Sequence, residues 1–269
     1  MEKSGITFGI PSEQAEFIRT HAKFFELYPS LQTTFRTIFR RDFAFTPEDV
    51  YDRMHSLDVT DPQRIEFDRI QLAKQISFYL TRSAAEDFYD IVLLAANGKG
   101  FGAYKILRGM YEHLVTARYI AANPAKATNF ADDFNIQRWN IINRLAAQSP
   151  EIVSGKLNKE AMDGIASLAS TAQTKRQESI CSKCKQPKPQ GAWIKLNLFD
   201  MAKEVGEGLD DLYTICYVLP TAYHHATALG LQFKLTKETD SISFNSGPSR
   251  LETRNALILS HQLDRKSVV

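Results

Sequence analysis

Apolar residues recur along most of this chain at three- and four-residue intervals, the spacing that lines one face of a helix. From Pro62 to Asn97 the pattern runs through Ile65, Leu72, Ile76, Tyr79 and Leu80, then Phe88, Ile91, Val92 and Leu94, and stops at Gly98-Lys-Gly100. It resumes from Phe101 to Ala122, from Pro124 to Gln148 and, with smaller side chains, from Leu157 to Gln177. Further helices are predicted over Trp193 to Val205, Leu209 to Ala228, and from Arg250 onward. The start signals agree: Thr46-Pro47-Glu48-Asp49, Asp61-Pro62 and Asn123-Pro124 each set a capping side chain before a proline suited to the first helical position. Period-two alternation appears in Leu231-Gln-Phe-Lys-Leu-Thr236 and Ser241-Ile-Ser-Phe244, around a polar turn. That predicts one β-hairpin over 230–246. The expected fold is therefore all-α, a multi-helix bundle with one small β-hairpin near the C-terminus. Residues 1–60 read as an N-terminal helical segment packing on the bundle, and 61–269 as the main helical domain.

Composition narrows the class without naming an activity. At 269 residues, 43% hydrophobic and 24% charged, the chain has ample material for a core. A formal net charge of +2 is too small to imply nucleic acid without local clustering. Met1-Glu-Lys-Ser-Gly5 lacks the basic start and apolar stretch of an export signal, and no apolar run reaches membrane-spanning length. Three cysteines do not make a disulfide framework. These features predict a cytoplasmic, reduced protein with no membrane partner.

Candidate chemistry sits in polar groups set among apolar helical positions. Arg108 projects within the stripe formed by Tyr104, Leu107, Tyr111, Val115 and Tyr119, and Glu112, four residues on, sits at its edge. Tyr217, His224 and His225 flank Pro220, which is expected to kink its helix and free a carbonyl. Burial of such groups is costly unless they are paired, so the two clusters read either as a structural ion-pair network or as an anion site with a histidine acid or base. Arg254, Asn255 and His261 form an alternative site along the last helix. His113 projects about 140° from Arg108 on a regular helix and reads as the poorer partner. The basic, proline-bearing loop at 179–191 carries Cys181-Ser-Lys-Cys184, half of a zinc knuckle. With no second Cys-x-x-Cys after it, this reads as a surface thiol pair; zinc there requires ligands from a distant histidine or a second subunit. No other cofactor is expected. Cys216 reads as core. Gly98-Lys-Gly-Phe-Gly102 lacks the Gly-Lys-Ser/Thr of a phosphate loop, and no Gly-x-Ser-x-Gly anchors a serine nucleophile.

In order, Arg108-Gly-Met-Tyr-Glu112, Tyr119 with Asn123-Pro124, Trp193, Tyr217 and Thr221-Ala-Tyr-His-His225 resemble a bacterial all-helical family catalogued only as a domain of unknown function, number 5677 of that series. The resemblance covers about residues 70 to 230. It implies an all-helical fold, favours His225 over His224, and implies no activity. The cysteine loop is not part of that pattern, and Pro220 sits oddly within it. A looser likeness is to the HEPN helical ribonucleases, whose Arg-x(4–6)-His spacing is matched by Arg108…His113 and Arg254…His261. That likeness implies a metal-independent RNA-cutting site, usually formed in a homodimer, with arginine on the phosphate and histidine moving the proton.

Two functions are expected on these grounds. One is a HEPN-like endoribonuclease acting on RNA as a toxin or phage-defence effector, with Arg108, Glu112, Tyr217 and His225 at its site and Arg40-Arg41, Lys175-Arg176 and the Lys183–Lys188 loop as a basic rim. The other is a non-catalytic helical binding or regulatory module that meets a partner protein and in which the same cluster is structural.

Overall fold

The computed structural model describes residues 11–20, 22, 23, 26, 33, 61–177, 193–225, 228–232, 235–237, 241–244 and 250–267. The fold is all-α. A short helix, α1 (Pro11–Thr20), precedes α2 (Pro62–Ala96), 35 residues long. Its start is as the sequence predicts: Asp61 accepts from the Gln63 amide at 2.7 Å, and Pro62 occupies the first turn, where no amide hydrogen is needed. Gly98, with φ +67°, turns the chain into α3 (Gly100–Ala122).

Helix α3 is the centre of the molecule. Tyr104, Leu107, Met110, Tyr111, Leu114 and Val115 are buried. They pack against α2, against α7 (Leu198–Val205), and against α11 (Arg250–Ser267), which contributes Leu257, Leu259 and Leu263 to the same core. After a 3-10 turn at Pro124–Lys126 come α4 (Ala127–Gln148), α5 (Pro150–Ser154) and α6 (Lys159–Gln177). These three share their own small core: Ile142, Val153 and Ile165, packed with Trp139 and Met162. A further cluster of Ile120, Ala127, Phe130 and Trp193 joins them to α2 and α3.

Several expected elements are shorter than predicted. Trp193–Leu196 is a series of bends, with Trp193 held edge-on by Tyr119 and Phe130, and the helix begins only at Leu198, capped by Asn197. The helix expected from Leu209 to Ala228 is three pieces: α8 (Leu209–Tyr213), a π turn at Thr214–Val218, and α9 (Leu219–His224). Leu231 and Gln232 do not begin a strand; they end α10 (Ala228–Gln232). Among the described residues, β1 (Leu235–Lys237) and β2 (Ile242–Phe244) pair antiparallel, with Leu235 opposite Phe244 and Lys237 opposite Ile242. Most of the 1–60 segment, including the Thr46–Asp49 start signal, lies outside the described residues, as does the 179–191 loop.

Candidate functional site

Pro220 does more than kink a helix. Just before it, the Leu219 amide bonds to the Thr214 carbonyl, five residues back instead of four. In that register the next carbonyl, Ile215, would pair with residue 220, and proline has no amide hydrogen to offer. Tyr104 supplies the missing donor from α3: its hydroxyl donates to the Ile215 carbonyl at 3.0 Å. Thr221 Oγ1 donates to the Tyr217 carbonyl at 2.5 Å, one turn on. Cys216 is buried in this turn, and burial pushes its thiol up to about 12, so it is an inert core residue.

The π turn swings Tyr217 over Arg108. The guanidinium carbon lies 5.0 Å from the ring centroid, and Arg108 Nη2 donates to Glu112 Oε1 at 3.3 Å and to Tyr217 Oη at 3.5 Å. Tyr213 stacks on Tyr217, with centroids 5.3 Å apart and planes 27° apart, and Phe199 meets Tyr213 edge-on. Burial opposes the arginine's charge, but Tyr217 and Glu112 more than offset it and hold the guanidinium firmly protonated. Arg108 is 24% exposed and Glu112 40%. Arg108 Nε is buried with no hydrogen-bond partner among the described residues. Three of the four site residues predicted around this cluster, Arg108, Glu112 and Tyr217, thus meet.

The fourth does not. His225 is exposed at the end of α9, and its ring contact is with His224, at 5.2 Å. The residue of this motif that turns inward is Tyr223, edge-on to both Phe101 and Tyr104, with its hydroxyl pushed up to about 12 by burial.

One polar pair escapes local sequence reading. His113 Nδ1 is 2.9 Å from Asp87 Oδ2, across the α2–α3 contact. Gly109 lies beneath it: a Cβ there would come within 3.3 Å of the Asp87 carboxylate. Arg108 and His113 therefore occupy opposite edges of a half-buried polar strip on α3, with Lys105, Gly109 and Glu112 between them. Asp87 is 26 residues away on another helix, and the Arg108…His113 spacing is the only sequence signal that pointed here.

In the alternative site, Arg254 and Asn255 are exposed on α11, while His261 packs its ring edge-on against Phe88, with centroids 4.9 Å apart. Burial, helped by Arg265, lowers His261 to about 4. At the other side of α11, Lys266 donates to the Glu207 carbonyl, and Arg118 pairs with the Glu207 carboxylate. Glu207 sits in a turn where Gly206, Glu207 and Gly208 all have positive φ. Of the expected basic rim, Lys175 pairs with Asp132; Arg40, Arg41 and Lys183–Lys188 lie outside the described residues. So do Cys181 and Cys184. Among the described residues no group of three histidine, cysteine or carboxylate side chains could hold a metal ion, and no helix is long and apolar enough to cross a membrane.

Bundle, π turn and arginine–tyrosine clasp define an all-helical protein organised around one central helix. The chain belongs to the family of unknown function DUF5677, which matches residues 74–242, from within α2 to the first residue of β2. No curated protein and no solved structure matches it.

Proposed function

We propose that this protein is a cytoplasmic, non-catalytic helical binding or regulatory module, in which Arg108, Glu112 and Tyr217 clasp the π turn to α3. The supporting observation is the setting of Arg108. Its guanidinium lies on the Tyr217 ring and bonds to Glu112, while both histidines of the neighbouring motif face solvent and each other. Metal-independent RNA cleavage needs a cation and a proton-transfer group converging on one phosphate. His225 is exposed with its ring against His224, and His261 packs edge-on against Phe88 while Arg254 is exposed on the same helix. A HEPN-like endoribonuclease, acting as a toxin or phage-defence effector, is the second reading. One observation favours it: the Asp87–His113 pair edges the same strip of α3 as Arg108.

Incubating the purified protein with RNA in EDTA separates the two. The binding-module reading expects no cleavage, with Arg108→Ala lowering the melting temperature. Cleavage by the wild type that is lost in folded Arg108→Ala or His113→Ala protein would overturn it.

A further inference from the structure

Besides its packed apolar positions, helix α4 carries an apolar row that stays exposed. Trp139, Ile142 and Ala146 face α5 and α6 in the small core. Phe134, Ile141 and Leu145 do not: they are 60%, 58% and 39% exposed. Their spacing of seven and then four residues keeps them within about 60° of one another, in a stripe about 16 Å long. A contiguous exposed apolar row rimmed by polar residues is the form an interaction surface takes.

The charges beside it indicate what would cover it. Arg138 lies within the stripe and Arg144 to one side; both are exposed, and neither forms an ion pair among the described residues. The acids of α4 are taken up elsewhere. Asp133 is buried and accepts from Gln137 at 2.5 Å, and Asp132 accepts from Lys175 of α6 at 3.3 Å. An occupant must therefore bring apolar anchors at helical spacing and its own carboxylates. A second copy of this chain brings arginines instead, because pairing two stripes antiparallel sets Arg138 within a turn of its counterpart.

We propose that the Phe134–Ile141–Leu145 face of α4 docks an acidic amphipathic helix of a partner protein, with Arg138 pairing to a carboxylate beside the partner's apolar row. This rests on the binding-module reading and gives it a surface and a partner chemistry.

The test is fluorescence anisotropy with two labelled synthetic helical peptides. They share one leucine stripe; glutamate flanks it in one and lysine in the other. The 269-residue protein is expected to bind the glutamate peptide and not the lysine peptide. Ile141→Glu should abolish that binding. Arg138→Glu should weaken it at least tenfold and admit the lysine peptide. Equal binding of both peptides, or binding indifferent to both substitutions, overturns the proposal. So does a wild-type dimer in light scattering that Ile141→Glu dissociates, which gives the face to a second copy. Flotation with phosphatidylglycerol vesicles that Ile141→Glu abolishes gives it to a membrane surface and also overturns the proposal. None of these readouts involves RNA cleavage, so failure here is distinct from failure of the binding-module reading.

Discussion

The Tyr104 hydroxyl donates to the Ile215 carbonyl, the one acceptor in the π turn whose backbone donor Pro220 removes. Tyr104 lies on α3 and Ile215 111 residues later, so this single bond ties the central helix to an irregularity in the C-terminal half. The irregularity in turn places Tyr217 over Arg108.

This relationship has an energetic signature. Tyr104→Phe leaves the Ile215 carbonyl without its donor and is expected to destabilise the protein by about 1 to 3 kcal/mol. Pro220→Ala restores an amide hydrogen at position 220. In that background Tyr104→Phe should cost distinctly less, as measured by urea denaturation of the four proteins in the cycle. Equal costs in both backgrounds would mean that Tyr104 does not stand in for the missing amide.

Two groups one turn apart on α11 oppose each other with pH. His261 is lowered to about 4, by burial first and then by Arg265. As pH falls from 6.5 toward 4 the unfolded chain therefore takes up a proton that the folded chain refuses, and stability is lost. Burial raises Asp264 to about 6, so as pH falls from 6 toward 3.8 the folded chain keeps a proton that the unfolded chain has released, and stability is gained. The two effects have opposite sign and largely offset each other between pH 4 and 6. Relative to wild type, Asp264→Asn should lose melting temperature on acidification across this window, and His261→Gln should gain it. Parallel profiles for the three proteins would contradict this.

The positive-φ turn at residues 206–208 has little tolerance. Gly208 has φ +68°, and a Cβ there meets Asp211 Oδ2 at 3.3 Å and Lys266 Nζ at 3.4 Å. Gly208→Ala is expected to lower stability by about 1 to 2 kcal/mol in thermal or chemical denaturation, through backbone strain and displacement of Lys266.

The helices were legible wherever the signal is local. Asp61-Pro62 and the Phe88–Ile91–Val92 spacing mark α2, and the Tyr104–Leu107–Tyr111 stripe marks the buried face of α3. Arg108 with Glu112 was legible for the same reason, because four residues on a helix are neighbours. What was hidden depends on contacts between elements. The π turn shows itself only through which carbonyl Pro220 leaves open, and the wheel beyond Pro220 cannot be drawn without it. His225 therefore read as a partner for Arg108, although the turn sends Tyr223 inward and the histidine out. On a helical wheel His113 projects away from Arg108, and its partner, Asp87, lies on a different helix, beyond the reach of the local pattern of α3.

Arg108 and Tyr217 act as one structural unit. A double-mutant cycle with Arg108→Ala and Tyr217→Leu, followed by denaturant unfolding, measures it. The expected result is that each change destabilises alone and the two couple by about 1 kcal/mol, since the guanidinium–ring contact and the hydroxyl bond are lost with either. Additive effects, within about 0.3 kcal/mol, would contradict the clasp and return Arg108 to the candidates for a site that handles a ligand.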